Sequence, residues 1–265
     1  MSRARQTVKG RGPSPPPEGV GRLTDREFRT ELPSTQSEAV RRAREGAPAG
    51  TRVVARRQTS GRGRLGHGWA SPDGGLYVSV IFRAPHPDSS LLPLAVGARI
   101  GRALADRYGV RAVLKWPNDL LVVEGGKARK LGGILVDEVD SPTVGRAAVV
   151  GIGLNVATPL SAFPPDVRPH LVTLGHLVHP TPSLEEVEGL VVSACESALD
   201  TLASPGGAET VLGECRAALH GLGRRATVDG SLSGVITALG EEGELWLATP
   251  SGPVAVRAGD LVVEP

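Results

Sequence analysis

Several things are scarce in this 265-residue chain, and each scarcity closes off a class of function. There are 2 cysteines, Cys195 and Cys215, far apart in stretches that read as helical. They show no C-x-x-C spacing and no cysteine–histidine cluster, so a zinc module is not indicated, and two buried thiols in a reducing cytoplasm are expected. The formal net charge is only +2, with the basic residues concentrated in Met1–Arg64, so the chain as a whole is no electrostatic sleeve for nucleic acid. The longest apolar stretch, Leu91–Ala105, is cut by Arg99 and Arg102, and the basic N-terminus runs into prolines instead of an apolar segment. Neither a membrane span nor a targeting segment follows from such a pattern. Nor is there a convincing Ser/His/Asp or Cys/His arrangement for covalent catalysis.

What is present is an ordinary globular composition, 40% hydrophobic and 22% charged, at a length that suits one sizeable domain and a smaller one. Residues 1–22, with Pro13, Pro15, Pro16 and Pro17, lack the apolar side chains that offset ordering entropy and are expected to be a disordered tail. They are also too short and proline-rich for a helix-turn-helix. From Leu23 the pattern predicts an α+β domain over 23–220. It has a helix from near Ser37 to Gly46, strands over Thr51–Arg57 and Leu76–Phe82, and a helix over Leu91–Tyr108 capped by Ser90 and stopped at Gly109. Strands are predicted over Ala112–Lys115, Leu120–Val123 and Leu131–Glu138, the last two joined at Gly125-Gly126, and then over Ala147–Val156. Ser183 and Glu186 have the spacing of a capping box ahead of an apolar stripe to Leu202, and a second helix spans roughly Ala208–His220. Beyond Gly221-Leu222-Gly223, five short strands over 221–265 predict a small β-barrel that needs a neighbour for support.

The chemistry collects in five segments. Gly61–Trp69 combines four glycines with Arg62 and Arg64, a loop suited to closing on an anion, and one expected to be poorly ordered without it. Ser34-Thr35-Gln36 precedes the first helix, where Ser34 and Thr35 either cap it or face a ligand. Lys115-Trp116-Pro117-Asn118-Asp119 joins two strands; Asn118-Asp119 alone reads as a turn, and Lys115 is as consistent with a structural role as with a chemical one. In Arg129–Glu138 and Gly151–Val156, glycines interrupt apolar strands, a placement that fits either close approach of a ligand or local bulges.

Taken together, in this order and spacing, the five segments resemble the biotin protein ligases, which activate biotin with ATP and attach it to a carrier lysine. The resemblance covers Leu32 to about Val156 and continues loosely beyond. It implies a mixed β-sheet flanked by helices, of the class II aminoacyl-tRNA synthetase/biotin synthetase type, with a C-terminal Src-homology-3-like barrel. By the same resemblance Ser34, Thr35, Gln36 and Gln58 receive the ureido ring. Gly63, Gly133, Gly151 and Gly153 line the biotin cleft, and Trp69 covers the aliphatic chain. Lys130, Arg62 and Arg64 are the catalytic cations that meet the biotin carboxylate and the α-phosphate. His67, Asn118 and Asn155 contact ATP, and Asp119 holds Mg2+ on the phosphates. Two departures stand out: Gln36 occupies a position more often asparagine, and His67 one that is often arginine. The implied partner is the biotin carboxyl carrier domain of an acyl-CoA carboxylase, with neither nucleic acid nor membrane, and with the ligase a monomer or homodimer. Two rivals are a lipoate or octanoate ligase or transferase of the same fold, which has little use for the Ser34-Thr35/Gln58 cluster, and a biotin-responsive repressor, which the short N-terminus disfavours.

Overall fold

The computed structural model describes residues 25–83 and 90–264; the expected disordered tail lies outside them. The chain runs β1 (Arg26–Leu32), α1 (Thr35–Arg44), β2 (Arg52–Gln58), β3 (Leu76–Arg83), α2 (Leu92–Tyr108), β4 (Ala112–Lys115), β5 (Asp119–Glu124), β6 (Lys127–Ser141) and β7 (Gly145–Leu154). Helices α3 (Leu174–Leu177), α4 (Leu184–Ala203) and α5 (Gly207–Ala218) lead to β8 (Arg225–Val228), β9 (Leu232–Leu239), β10 (Leu245–Thr249), β11 (Gly252–Val256) and β12 (Leu261–Val263).

The first seven strands form one mixed sheet in the order β1-β2-β3-β7-β6-β5-β4, parallel at β1–β2 and antiparallel elsewhere. Alternation along each strand sends side chains to opposite faces. On one face Val54, Val78, Val80, Phe82, Val150 and Ile152 meet α2 and α4 in the main core. On the other, Val53, Ile81, Val139, Ala147 and Val149 enclose Ala39 and Ala43 of α1. Helix α1 covers only part of its face, and the uncovered remainder is where the candidate residues gather.

The capping chemistry mostly follows the sequence. Ser183 and Glu186 form the expected capping box, and Gly109 ends α2 in the left-handed region at φ 71°. Gly125 and Gly126, both at positive φ, turn β5 into β6. Ser90 is a correction: it does not cap α2, and its hydroxyl donates to Glu242 O at 2.7 Å instead. The first helix begins at Thr35, not near Ser37, because the Ser34 hydroxyl accepts from Ser37 N. Strand β1 has no counterpart in the sequence prediction. Its Arg-Glu-Phe-Arg-Thr-Glu-Leu run is largely exposed at the sheet edge and offers little apolar alternation.

Strands β8 to β12 make a separate antiparallel sheet in the order β11-β10-β9-β8-β12. Its inner residues, Ala226, Ile236, Leu239, Leu245, Leu247 and Leu261, belong to the main core, so the two sheets share apolar contacts. Polar ties reinforce the join: the buried Trp116 indole donates to Gly243 O at 2.9 Å and Arg216 donates to Leu239 O at 3.0 Å. Both cysteines are free and buried, and burial raises both thiols above their ordinary range.

Candidate active site

Strand register builds the floor of the site. Across five strands, Tyr77, Gly153, Gly133, Asp119 and Lys115 pair in one row. The next rows along are Ser79, Gly151 and Leu135, then Ile81, Val149 and Asp137. All lie on the face that carries α1. Lys130 by simple alternation would point the opposite way from Gly133. A register shift in the β5–β6 pairing, where Leu120 faces Gly132 but Leu121 faces Lys130, inserts Leu131 as an extra residue and restores Lys130 to the cavity face.

Above this floor the Gly61–Trp69 loop forms a roof. Trp69 N donates to Gly61 O at 2.8 Å and Gly63 N to His67 O at 2.8 Å, around a tight turn in which Leu65 adopts φ 53°. Glycine at 61 permits this closeness, since a Cβ there would meet the Trp69 carbonyl. The loop expected to need an anion for order therefore has a frame of its own. Trp69 lies on the glycines of the floor: a Cβ on Gly153 would stand 2.5 Å from its Cε2, and one on Gly133 3.3 Å from its Cζ3. The Lys130 ammonium covers the same ring at 4.9 Å from the centroid.

The enclosed space is a cavity of about 480 Å³. One end is lined by polar, neutral side chains. Gln58 Oε1 accepts from Thr35 N at 2.7 Å and Thr35 Oγ1 at 3.2 Å, its Nε2 donates to Ser71 Oγ at 2.7 Å, and Ser79 Oγ donates to Thr35 Oγ1 at 3.0 Å. Gln36 donates to Val149 O at 2.9 Å and Asp137 Oδ2 at 3.1 Å, leaving its Oε1 buried without a partner. The other end is cationic. Lys130 Nζ is 2.8 Å from Asp119 Oδ1, and Lys115 Nζ is 3.7 Å from both Asp119 Oδ2 and Asp260 Oδ1, the last contributed by the C-terminal sheet. Burial lowers the Arg64 pKa, with Asp119, Asp260 and Asp229 opposing the shift, and a guanidinium remains charged regardless. Arg64, Lys115 and Lys130 thus outnumber Asp119 and Asp260, a surplus that suits an incoming anion.

Every candidate residue but one lines this cavity: Ser34, Thr35, Gln36, Gln58, Arg62, Gly63, Arg64, His67, Trp69, Asn118, Asp119, Lys130, Gly133, Gly151 and Gly153. Asn155 does not. It is buried behind the wall, its amide donating to Lys130 O and Val172 O at 3.3 Å each, so it braces the strand that carries Lys130. Lys115, which the sequence left open, faces the cavity, and Ser79, Val167, His170, Gly259 and Asp260 line it without having been singled out. Among the described residues no cluster of three or more His, Cys, Asp or Glu side chains is placed to hold a metal. Two carboxylates, Asp119 and Asp260, stand at the cationic end, each beside a lysine, a donor set that fits a magnesium carried in on phosphates and does not fit a resident metal.

Comparison with known proteins gives a consistent picture. Residues 29–155 match the model of the biotin/lipoate A/B protein ligase family. The chain is 31% identical over 243 residues to the biotin--[acetyl-CoA-carboxylase] ligase of Mycobacterium tuberculosis, covering 86% of this chain and 85% of that protein. It is 34% identical over 140 residues to the bifunctional ligase/repressor BirA of Bacillus subtilis, 52% of this chain but only 42% of that relative's length. The biotin protein ligase of Aquifex aeolicus, in complex with biotin and ATP, superimposes with a TM-score of 0.77 at 28% identity, over 91% of this chain and 98% of that one.

Proposed function

The chain belongs to the biotin/lipoate A/B protein ligase family, and from that premise we propose that it is a biotin protein ligase: it joins biotin to ATP as biotinyl-5'-adenylate and passes the biotinyl group to a lysine of a biotin carboxyl carrier domain. One observation carries the reading beyond the family. A single cavity runs from a neutral hydrogen-bonding end to a cationic end beneath one tryptophan, the polarity sequence of a urea ring, an aliphatic chain and a carboxylate.

In this reading Ser34, Thr35, Gln36 and Gln58 answer the ureido N–H and C=O groups, whose unpaired burial would cost roughly 2–7 kcal/mol. Trp69 covers the aliphatic chain. Lys130, Arg62 and Arg64 gather the biotin carboxylate and the α-phosphate and offset the negative charge that builds as the carboxylate oxygen attacks phosphorus and pyrophosphate departs. Lys115, beside Asp119, adds to that cationic surface. Asp119 would hold magnesium, which neutralises phosphate charge when bound. The roof then excludes water from the mixed anhydride until the carrier amine attacks its carbonyl and AMP leaves. We assign catalysis to residues 23–220 and read residues 221–265 as a Src-homology-3-like barrel that supplies Asp260 to the nucleotide end.

A lipoate ligase of the same fold would need an apolar tunnel where the Thr35–Gln58–Ser71 network stands. Titration calorimetry separates the two. Tight binding of biotin and none of lipoate is expected, and the reverse would overturn the proposal.

A further inference from the structure

We infer that Asp137 is a positioning residue for this site: its carboxylate sets the Gln36 amide so that Oε1 faces the ligand's N–H, and it tethers the roof arginine Arg62. The inference rests on the biotin reading above and goes beyond it, since Asp137 stands behind Gln36 and is not among the residues that line the cavity.

Gln36 is 3% exposed, and both its Nε2 hydrogens are committed, one to Val149 O at 2.9 Å and one to Asp137 Oδ2 at 3.1 Å. Turned over, the amide would set its oxygen against a carbonyl and a carboxylate, with no donor between them. Its orientation is therefore dictated, and Oε1 is left as a buried acceptor that no protein donor reaches. Within native interiors such an atom calls for a partner. Gly151 makes the arrangement possible, because a Cβ there would overlap Gln36 Oε1. Asp137 arrives at the right place by alternation: Gly133, Leu135 and Asp137 share a face of β6, and Asp137 pairs with Val149, whose carbonyl takes the other amide hydrogen.

The same Asp137 Oδ2 lies 3.3 Å from Arg62 Nη1. One oxygen thus serves both the Gln36 amide and the roof. The ligand group that fits the waiting acceptor is an N–H donor on a neutral ring, which a cyclic urea supplies and a dithiolane does not.

The test uses Asp137→Ala, Asp137→Asn, Gln36→Leu and the Asp137→Ala/Gln36→Leu double variant of the full chain. Biotin affinity is read by calorimetry without nucleotide, ATP affinity separately, and folding by thermal melting. Asp137→Ala is expected to weaken biotin about 10-fold, the size of effect typical of one hydrogen bond, with a smaller change in ATP affinity from the released Arg62. Asp137→Asn keeps an oxygen for Gln36 Nε2 and is expected to recover biotin affinity to within about 3-fold, while the lost charge on Arg62 speeds escape of the adenylate. On the Gln36→Leu background, Asp137→Ala should cost less than about 2-fold more, because the two act through one interaction. Unchanged biotin affinity in Asp137→Ala overturns the inference. So does an equal loss with and without Gln36, which would mean that Asp137 acts on the fold at large. A wild-type protein that ignores biotin would instead bring down the functional reading, a result distinct from either.

Discussion

Replacing Gly153 by alanine tests whether Trp69 has to sit on the sheet for the intermediate to be kept. The added methyl would lie 2.5 Å from Trp69 Cε2, 2.6 Å from Nε1 and 2.8 Å from Cζ2. Carbon contacts settle at about 3.5–4.0 Å, so the overlap is about 1 Å. Strand β7 cannot retreat, since Gly153 pairs with Tyr77 on one side and Gly133 on the other. Trp69 can, because it rides on a loop and its Nε1 makes no hydrogen bond in this seat. Overpacking of this kind costs about 1–3 kcal/mol, which at 1.4 kcal/mol per factor of ten displaces the ring by roughly 5- to 150-fold. Global stability should change far less, because the ring swings aside instead of straining the sheet. The assay is to load the enzyme with biotin and ATP, remove free ligand, and follow the adenylate that remains by chromatography. Faster loss is expected in Gly153→Ala, and no further loss when Trp69→Ala is added, as two changes acting on one contact should not be additive. Retention equal to wild type, or additive losses, would mean that the intermediate is kept without Trp69 resting on the sheet.

Three further outcomes follow from the same geometry. Lys130→Ala should cost stability less than about 1 kcal/mol, as Asp119 keeps Lys115 at 3.7 Å, yet lower adenylate formation roughly 100- to 1,000-fold in a pyrophosphate-exchange assay. Trp116→Phe strips Gly243 O of its donor inside the joint between the sheets, and thermal melting should register about 1–3 kcal/mol. Glu38, hydrogen-bonded by Arg41 and Arg42, has its carboxyl held down at about 2. A lowered folded-state pKa adds stability above the unfolded value and loses it as pH falls through the folded one. Glu38→Gln should therefore cost about 1 kcal/mol at neutral pH, and the difference from wild type should close as pH drops from 4.5 toward 2.

Much of the site was legible because its chemistry is local in sequence. Glycines within apolar strands, a Gly-Arg loop and a hydroxyl-rich helix start each have a physical meaning without a partner, and Gly133, Gly151, Gly153, Arg64 and Thr35 all reach the cavity wall. What escaped depends on pairing between distant strands. The direction of Lys130 turns on a one-residue bulge at Leu131; the glycines of Arg129–Glu138 left a bulge open as a reading but did not fix its position. Asp137 stood in a segment already noted, but its role needs Val149 and Gln36 beside it. Asp260 comes from the C-terminal sheet, whose docking on Trp116 is a tertiary fact. Asn155 shows the converse. The resemblance implied a nucleotide contact, whereas the Asn155 Nδ2 donates to the backbone of Lys130 and Val172 and its Oδ1 is buried without a partner behind the cavity wall. Strand β1 was missed because an edge strand can be largely exposed, and four of its seven residues are charged.

Transfer of a biotinyl group to a carrier lysine changes the carrier's mass, which intact-mass spectrometry reads. With biotin, ATP, magnesium and a carrier domain, the carrier should gain the mass of one biotinyl group at one lysine, and gain nothing when Lys130→Ala replaces the wild type or lipoate replaces biotin. A carrier left unmodified by the wild-type protein, or modified equally well with lipoate, would contradict the account.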